Sequence, residues 1–75
     1  MDRKALYRLS NERISRLIDS YVRRSDYRRI LKDRMINGLT YSQIANIYGF
    51  SEKQIKNIVY KNENALLKIL DIKVP

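Results

Sequence analysis

The sequence predicts an all-α fold, a small bundle of about four helices, on three observations. Apolar residues recur at steps of three and four along most of the chain, the spacing that lays one face of a helix against a core. Breakers are scarce: the two glycines and the single, terminal proline leave no turn-rich, strand-like pattern. Hydroxyl residues stand in front of the periodic runs, where helices start. At 75 residues the chain is read as one domain, 1–75, with one small core.

The elements follow in order. Leu9, Ile14, Leu17, Ile18, Tyr21 and Val22 describe one face of a helix from about 11 to 23, with Ser10 as N-cap and Leu9 stapled to Ile14 across it. Ser25 is the expected cap of a second helix running to about Asn37, with Asp26 in its first turn and Tyr27, Ile30, Leu31 and Met35 facing inward. Gly38 ends it. Residues 1–37 thus form a basic helical pair. Thr40-Tyr-Ser-Gln43 and Ser51-Glu-Lys-Gln54 are both capping boxes, each preceded by an apolar residue, Leu39 or Phe50, that staples to Ile44 or Ile55. They predict a helix from about 41 to 48, a turn at Gly49 and a long helix from about 52 to 70. Residues 38–75 therefore read as a helix-turn-helix with an extended second helix.

Composition narrows the function. With neither Cys nor His the commonest metal ligands and the commonest general base are missing, so neither an enzyme nor a metal or other cofactor is expected. The formal charge of +8 and a pI near 10.1 point to an anionic partner, nucleic acid or a membrane surface. The opening MDRKALYRLSNERIS is too charged for a signal peptide, and no apolar run approaches the roughly 18 residues of a membrane span. A soluble, cytoplasmic protein is expected.

The helix-turn-helix asks for particular residues. Ala45 gives a small side chain where the second helix approaches, Gly49 accepts a left-handed backbone, and Ile44, Tyr48, Phe50, Ile55 and Ile58 fill the shared core. These residues set geometry, whether the motif only packs a bundle or also reads DNA; any reading function lies on the opposite face.

The run from Ile30 to Leu70, with "LKDRMINGLTYSQIANIYGFSEKQIKNIVYKNENAL" at its centre, resembles the promoter-reading fourth region of bacterial sigma factors. It is closer still to small sigma-like helix-turn-helix proteins of phages and mobile elements in Gram-positive bacteria. "NGLTYSQIA", "YGFS" and "KQIKNIVYKNENAL" carry the likeness, which covers a little over half the chain. Nothing matches the other sigma regions, so a complete sigma factor is not expected. The resemblance implies that the helix beginning at Glu52 enters the major groove of double-stranded DNA. With Ile55, Ile58 and Val59 assigned to the core, its base-reading candidates are Glu52, Lys53, Gln54 and Asn57. Asn57 suits adenine, Lys53 guanine or a phosphate, and Glu52 cytosine; Gln54 serves either its capping box or adenine. Lys56, Tyr60 and Lys61 are backbone candidates. Thr40, Tyr41, Ser42 and Gln43 are placed to donate to a phosphate from the preceding helix.

The charge lies mostly elsewhere. Residues 1–34 carry eleven basic and five acidic side chains, net +6; residues 35–75 carry five and three, net +2. Arg23, Arg24, Arg28, Arg29 and Lys32 are candidates to grip the DNA backbone. The alternative is that they pair with Asp19, Asp26 and Asp33 or simply solvate the surface.

Ala65, Leu66, Leu67, Ile69, Leu70, Ile72 and Val74 are more apolar residues than one core-facing stripe needs. With Leu6, Tyr7 and Leu9 they predict an interface, either a homodimer or a contact with a larger partner such as RNA polymerase; Leu6, Tyr7, Leu67, Leu70, Ile72 and Val74 are its main candidates. The competing outcome is that the N-terminal segment folds back and consumes them. The function expected is sequence-specific DNA binding by a phage or mobile-element transcriptional regulator. Alternatives are a DNA-packaging or replication accessory and a protein-interaction module docking on RNA polymerase or another regulator. A membrane-surface role has the least support.

Overall fold

The computed structural model describes residues 4–73, with side chains for 4–70, and these residues are entirely helical apart from their turns. Five helices follow in order: α1 (Lys4–Tyr7), α2 (Asn11–Tyr21), α3 (Ser25–Met35), α4 (Tyr41–Tyr48) and α5 (Glu52–Lys73). The 22 residues of α5 make a rod about 33 Å long. The other four helices all pack against it.

Local chemistry accounts for most of the boundaries. Ser10 Oγ accepts from the Arg13 amide, so α2 is capped where its sequence predicts. Both capping boxes are complete. Thr40 Oγ1 accepts from the Gln43 amide at 3.1 Å and Gln43 Oε1 from the Thr40 amide at 2.8 Å. Ser51 Oγ accepts from the Gln54 amide at 3.1 Å and Gln54 Oε1 from the Ser51 amide at 2.9 Å. Each box satisfies two amides that the first helical turn leaves without an internal partner. Ser51→Ala is accordingly expected to lower stability by about 1 kcal/mol, read as a shift in the thermal midpoint; an unchanged midpoint would assign the start of α5 to packing alone.

The glycines end helices as expected. Gly49 lies at φ 74°, and the Gly49 and Phe50 amides both donate to the Ala45 carbonyl, reversing the chain between α4 and α5. Gly38 lies at φ 71° after α3, where the Leu39 amide reaches back to the Asp33 carbonyl.

Three expectations need correction. Ser25 is not the cap of α3: Arg24 holds the N-cap position without a side-chain cap bond, Ser25 is the first helical residue, and Asp26 Oδ1 accepts the Tyr27 amide instead. Tyr21, expected on the inner face of α2, is exposed at the last residue of the helix, while the adjacent Val22 is the one that enters the core. The short α1 was not expected at all. It precedes the turn at residues 8–10 that leads into α2, and it packs on α5 with Leu6 in the core.

The packing of α1 on α5 also takes up part of the expected interface. Leu6, Leu66 and Leu67 are buried within the chain, and Leu9, Ile69 and Leu70 are partly buried against the same core, so much of the apolar surplus of α5 goes into packing within the chain. Tyr7 stays partly exposed, at 43%. Ile72 and Val74 lie outside the residues whose side chains are described.

The core runs through all five elements: Leu6; Ile14, Ile18 and Val22; Ile30, Leu31 and Met35; Ile44 and Ala45; and Ile55, Val59, Leu66 and Leu67. Tyr48, Phe50 and Ile58 are partly buried around it, as the helix-turn-helix spacing requires.

Candidate nucleic-acid interface

With Ile55 and Val59 fully buried and Ile58 partly so, the opposite side of α5 is set by helical geometry. Glu52, Lys53, Gln54, Lys56, Asn57, Tyr60 and Lys61 are all exposed there. Steps of three and four divide them into two edges: Lys56 and Tyr60 on one, and Gln54, Asn57 and Lys61 on the other. Each edge meets a different neighbour.

The first edge meets the start of α4. The Tyr41 and Tyr60 rings pack edge to face with centroids 6.1 Å apart, and Lys56 Nζ lies 5.7 Å from the Tyr41 centroid. The Arg34 guanidinium also stands over Tyr41, 4.4 Å from the ring centroid, while its Nη1 donates to the Leu39 carbonyl at 3.0 Å. Tyr41 is therefore a half-buried spacer that fixes α4 against α5. Burial, then its hydrogen bond with Tyr60, raises its hydroxyl pKa. Thr40 and Gln43 are committed to the capping box, leaving Ser42 as the exposed hydroxyl of this turn.

The second edge meets the turn between α2 and α3. A groove of about 360 Å³ is lined by Arg24, Tyr27, Phe50, Gln54, Asn57 and Ile58. A neighbouring one of about 340 Å³ continues along Tyr27, Asn57, Ile58, Lys61, Asn62 and Ala65. Folding thus brings Arg24, thirty-three positions earlier in the chain, beside Asn57. Gln54 keeps its Oε1 on the Ser51 amide, so in this arrangement it lacks the free carbonyl that a two-point adenine contact requires. Asn57 has no such commitment.

The five upstream cations divide by what holds them. Arg28 Nη1 donates to the Val22 and Arg23 carbonyls at 2.9 and 2.6 Å, closing the end of α2. Lys32 Nζ is 2.7 Å from Asp19 Oδ1. Arg24 Nε and Nη2 grip Asp26 at 3.2 and 2.9 Å, Nη1 donates to the Tyr27 hydroxyl at 3.1 Å, and the guanidinium lies 4.1 Å from the Tyr27 centroid. Those hydrogen bonds from Arg24 hold the Asp26 carboxyl below its ordinary range. Arg23 and Arg29 are exposed. Among the described residues Asp33 takes no arginine: it accepts from the Tyr48 hydroxyl at 2.7 Å and from Asn37 Nδ2 at 3.1 Å, and burial followed by Asp33 raises the Tyr48 pKa.

Two features had escaped the sequence reading. Ile47 projects from α4 with 61% of its surface exposed. Glu63, only 2% exposed, sits inside the apolar stripe of α5 and accepts from the Tyr7 hydroxyl at 2.6 Å on Oε2. The signal for Glu63 was present, since Ile55, Val59, Glu63 and Leu67 step by four, but its partner is 56 residues away. This contact fastens α1 over α5. Burial, then Glu63, raises the Tyr7 hydroxyl above the ordinary tyrosine value of 10.0. A raised phenol stabilises the fold fully below about pH 10 and loses that contribution as pH climbs toward its folded value. Tyr7→Phe is expected to cost about 1–2 kcal/mol at neutral pH and to blunt the alkaline loss of stability. Parallel pH–stability curves for the two proteins would argue against the latch.

Among the described residues no helix is long and apolar enough to cross a membrane, and no group of His, Cys, Asp and Glu could hold a metal ion. No protein-family model matches the chain, and searches of curated proteins and of solved structures return no match.

Proposed function

We propose that this chain is a sequence-specific double-stranded DNA-binding protein, a transcriptional regulator of phage or mobile-element type, whose α5 enters the major groove. The observation that carries this reading is the uninterrupted polar face of α5, from Glu52 to Lys61, exposed on a helix whose other side is the core of the molecule. The N-terminal turns of such a helix reach deepest into the groove, so Lys53 and Asn57 are the principal base readers. The start of α4 and the α2–α3 turn flank this face and supply contacts to the two phosphate backbones. The net charge of +8 favours that partner, and the resemblance of residues 30–70 to the fourth sigma region agrees with it.

Selection of bound sequences from a random duplex pool tests the proposal. A regulator of this kind enriches one motif and binds it ~10³-fold or more above random duplex. A pool that emerges unenriched would reduce the chain to a non-specific binder. The docking alternative draws on the exposure of Ile47. Retention of purified RNA polymerase core by the wild type and its loss in Ile47→Asp would favour it.

A further inference from the structure

Arg24 is the one upstream cation that lines the same groove as Gln54 and Asn57. Its surroundings differ from those of the other four. Arg28 is spent on two backbone carbonyls and Lys32 on Asp19, while Arg23 and Arg29 stand in solvent. The Arg24 guanidinium is oriented by the Tyr27 ring and hydroxyl, and it presents Nε and Nη2 as a fork. Both prongs are occupied by the two oxygens of Asp26.

A planar two-oxygen acceptor in that fork has the geometry by which a guanidinium binds a phosphate. The pair is accessible, with side chains 62% and 39% exposed, so water and salt screen it and exchange is easy. Resting on the DNA-binding reading above, we infer that Asp26 is an internal competitor that occupies the place of a DNA backbone phosphate on Arg24. Binding then exchanges one acceptor for another: the carboxylate leaves the fork, the phosphate enters, and Tyr27 holds the guanidinium plane throughout. The competition is blind to base sequence. Asp26 therefore lowers affinity for every duplex by one factor and leaves the preference carried by α5 unchanged. The chain keeps a phosphate anchor beside its reading helix while limiting the hold on random DNA that a charge of +8 would otherwise give.

The test is a titration of a labelled mixed-sequence 20-base-pair duplex, followed by fluorescence anisotropy at several KCl concentrations. It compares wild type, Asp26→Asn, Arg24→Ala and the double variant. Asp26→Asn is expected to bind about two- to fivefold more tightly, the range opened by freeing a cation from an exposed pair. Arg24→Ala is expected to bind more weakly and to flatten the slope of log K against log[salt] by about 0.9, one phosphate contact. In the Arg24→Ala background the gain from Asp26→Asn should nearly vanish. Asp26→Ser, which also keeps an oxygen for the Tyr27 amide, should reproduce Asp26→Asn and guards against a folding artefact of either change. An equal gain in both backgrounds would make Asp26 a remote negative charge only and overturn the inference, as would no gain at all. Failure of the wild type to bind any duplex, even at low salt, would instead overturn the DNA-binding reading itself.

Discussion

Asn57→Ala is expected to keep the affinity of the parent for random duplex while losing about five- to 150-fold of its preference for the selected sequence, the equivalent of about 1–3 kcal/mol for one two-point base contact. The side chain is exposed, lies on the edge of α5 that faces the groove beside Arg24, and has no capping duty of the kind that occupies Gln54. Removing it leaves the core untouched, so thermal unfolding of the variant should coincide with that of the parent. Competition binding with selected and scrambled duplexes measures the ratio. A ratio unaltered by Asn57→Ala would move base reading to Lys53 or Glu52; a fall in both affinities together would make Asn57 a backbone contact.

Two residues earlier the expected effect is of another kind. Ile55→Ala is expected to destabilise the fold by about 2–5 kcal/mol, because Ile55 is fully buried where α4 and α5 meet and truncation leaves a cavity that neighbouring helices fill only in part. Scaled by length, a domain of this size has about 4–11 kcal/mol of stability in all. The variant should therefore lose a large share of its folded population on warming, and its DNA affinity should fall for all sequences alike. Urea denaturation followed by circular dichroism gives the shift in midpoint. A midpoint within error of the parent would mean that Ile55 is not the pivot of the turn. Together the two substitutions separate the faces of one helix: position 57 changes what is bound, position 55 whether the surface exists.

Legibility in the sequence divides along the same line between near and far. Ser10, Gly38, Gly49 and the two capping boxes were readable because each acts on backbone groups within six positions of itself. The polar face of α5 followed from the buried one by helical geometry alone. Ser25 misled because a hydroxyl before an apolar run is the usual cap, whereas here the acid after it takes the free amide. The burial of Leu66 and Leu67 was not legible, because counting an apolar surplus on one helix does not show which other segment covers it.

By itself, then, the sequence determined four of the five helices, most of their starts and stops, and the side of α5 that carries polar groups, all consequences of hydrogen bonding and periodicity within a few residues. Only the tertiary structure decided that α1 folds over α5, that the Tyr7 hydroxyl meets Glu63 in the interior, that Arg28 closes a helix end, and that Arg24 stands beside Asn57 with Asp26 in its fork. The reason is physical: most of these contacts join elements that turns bring together, and which cation finds a carbonyl, a carboxylate or open solvent depends on the packing of helices that no local pattern records.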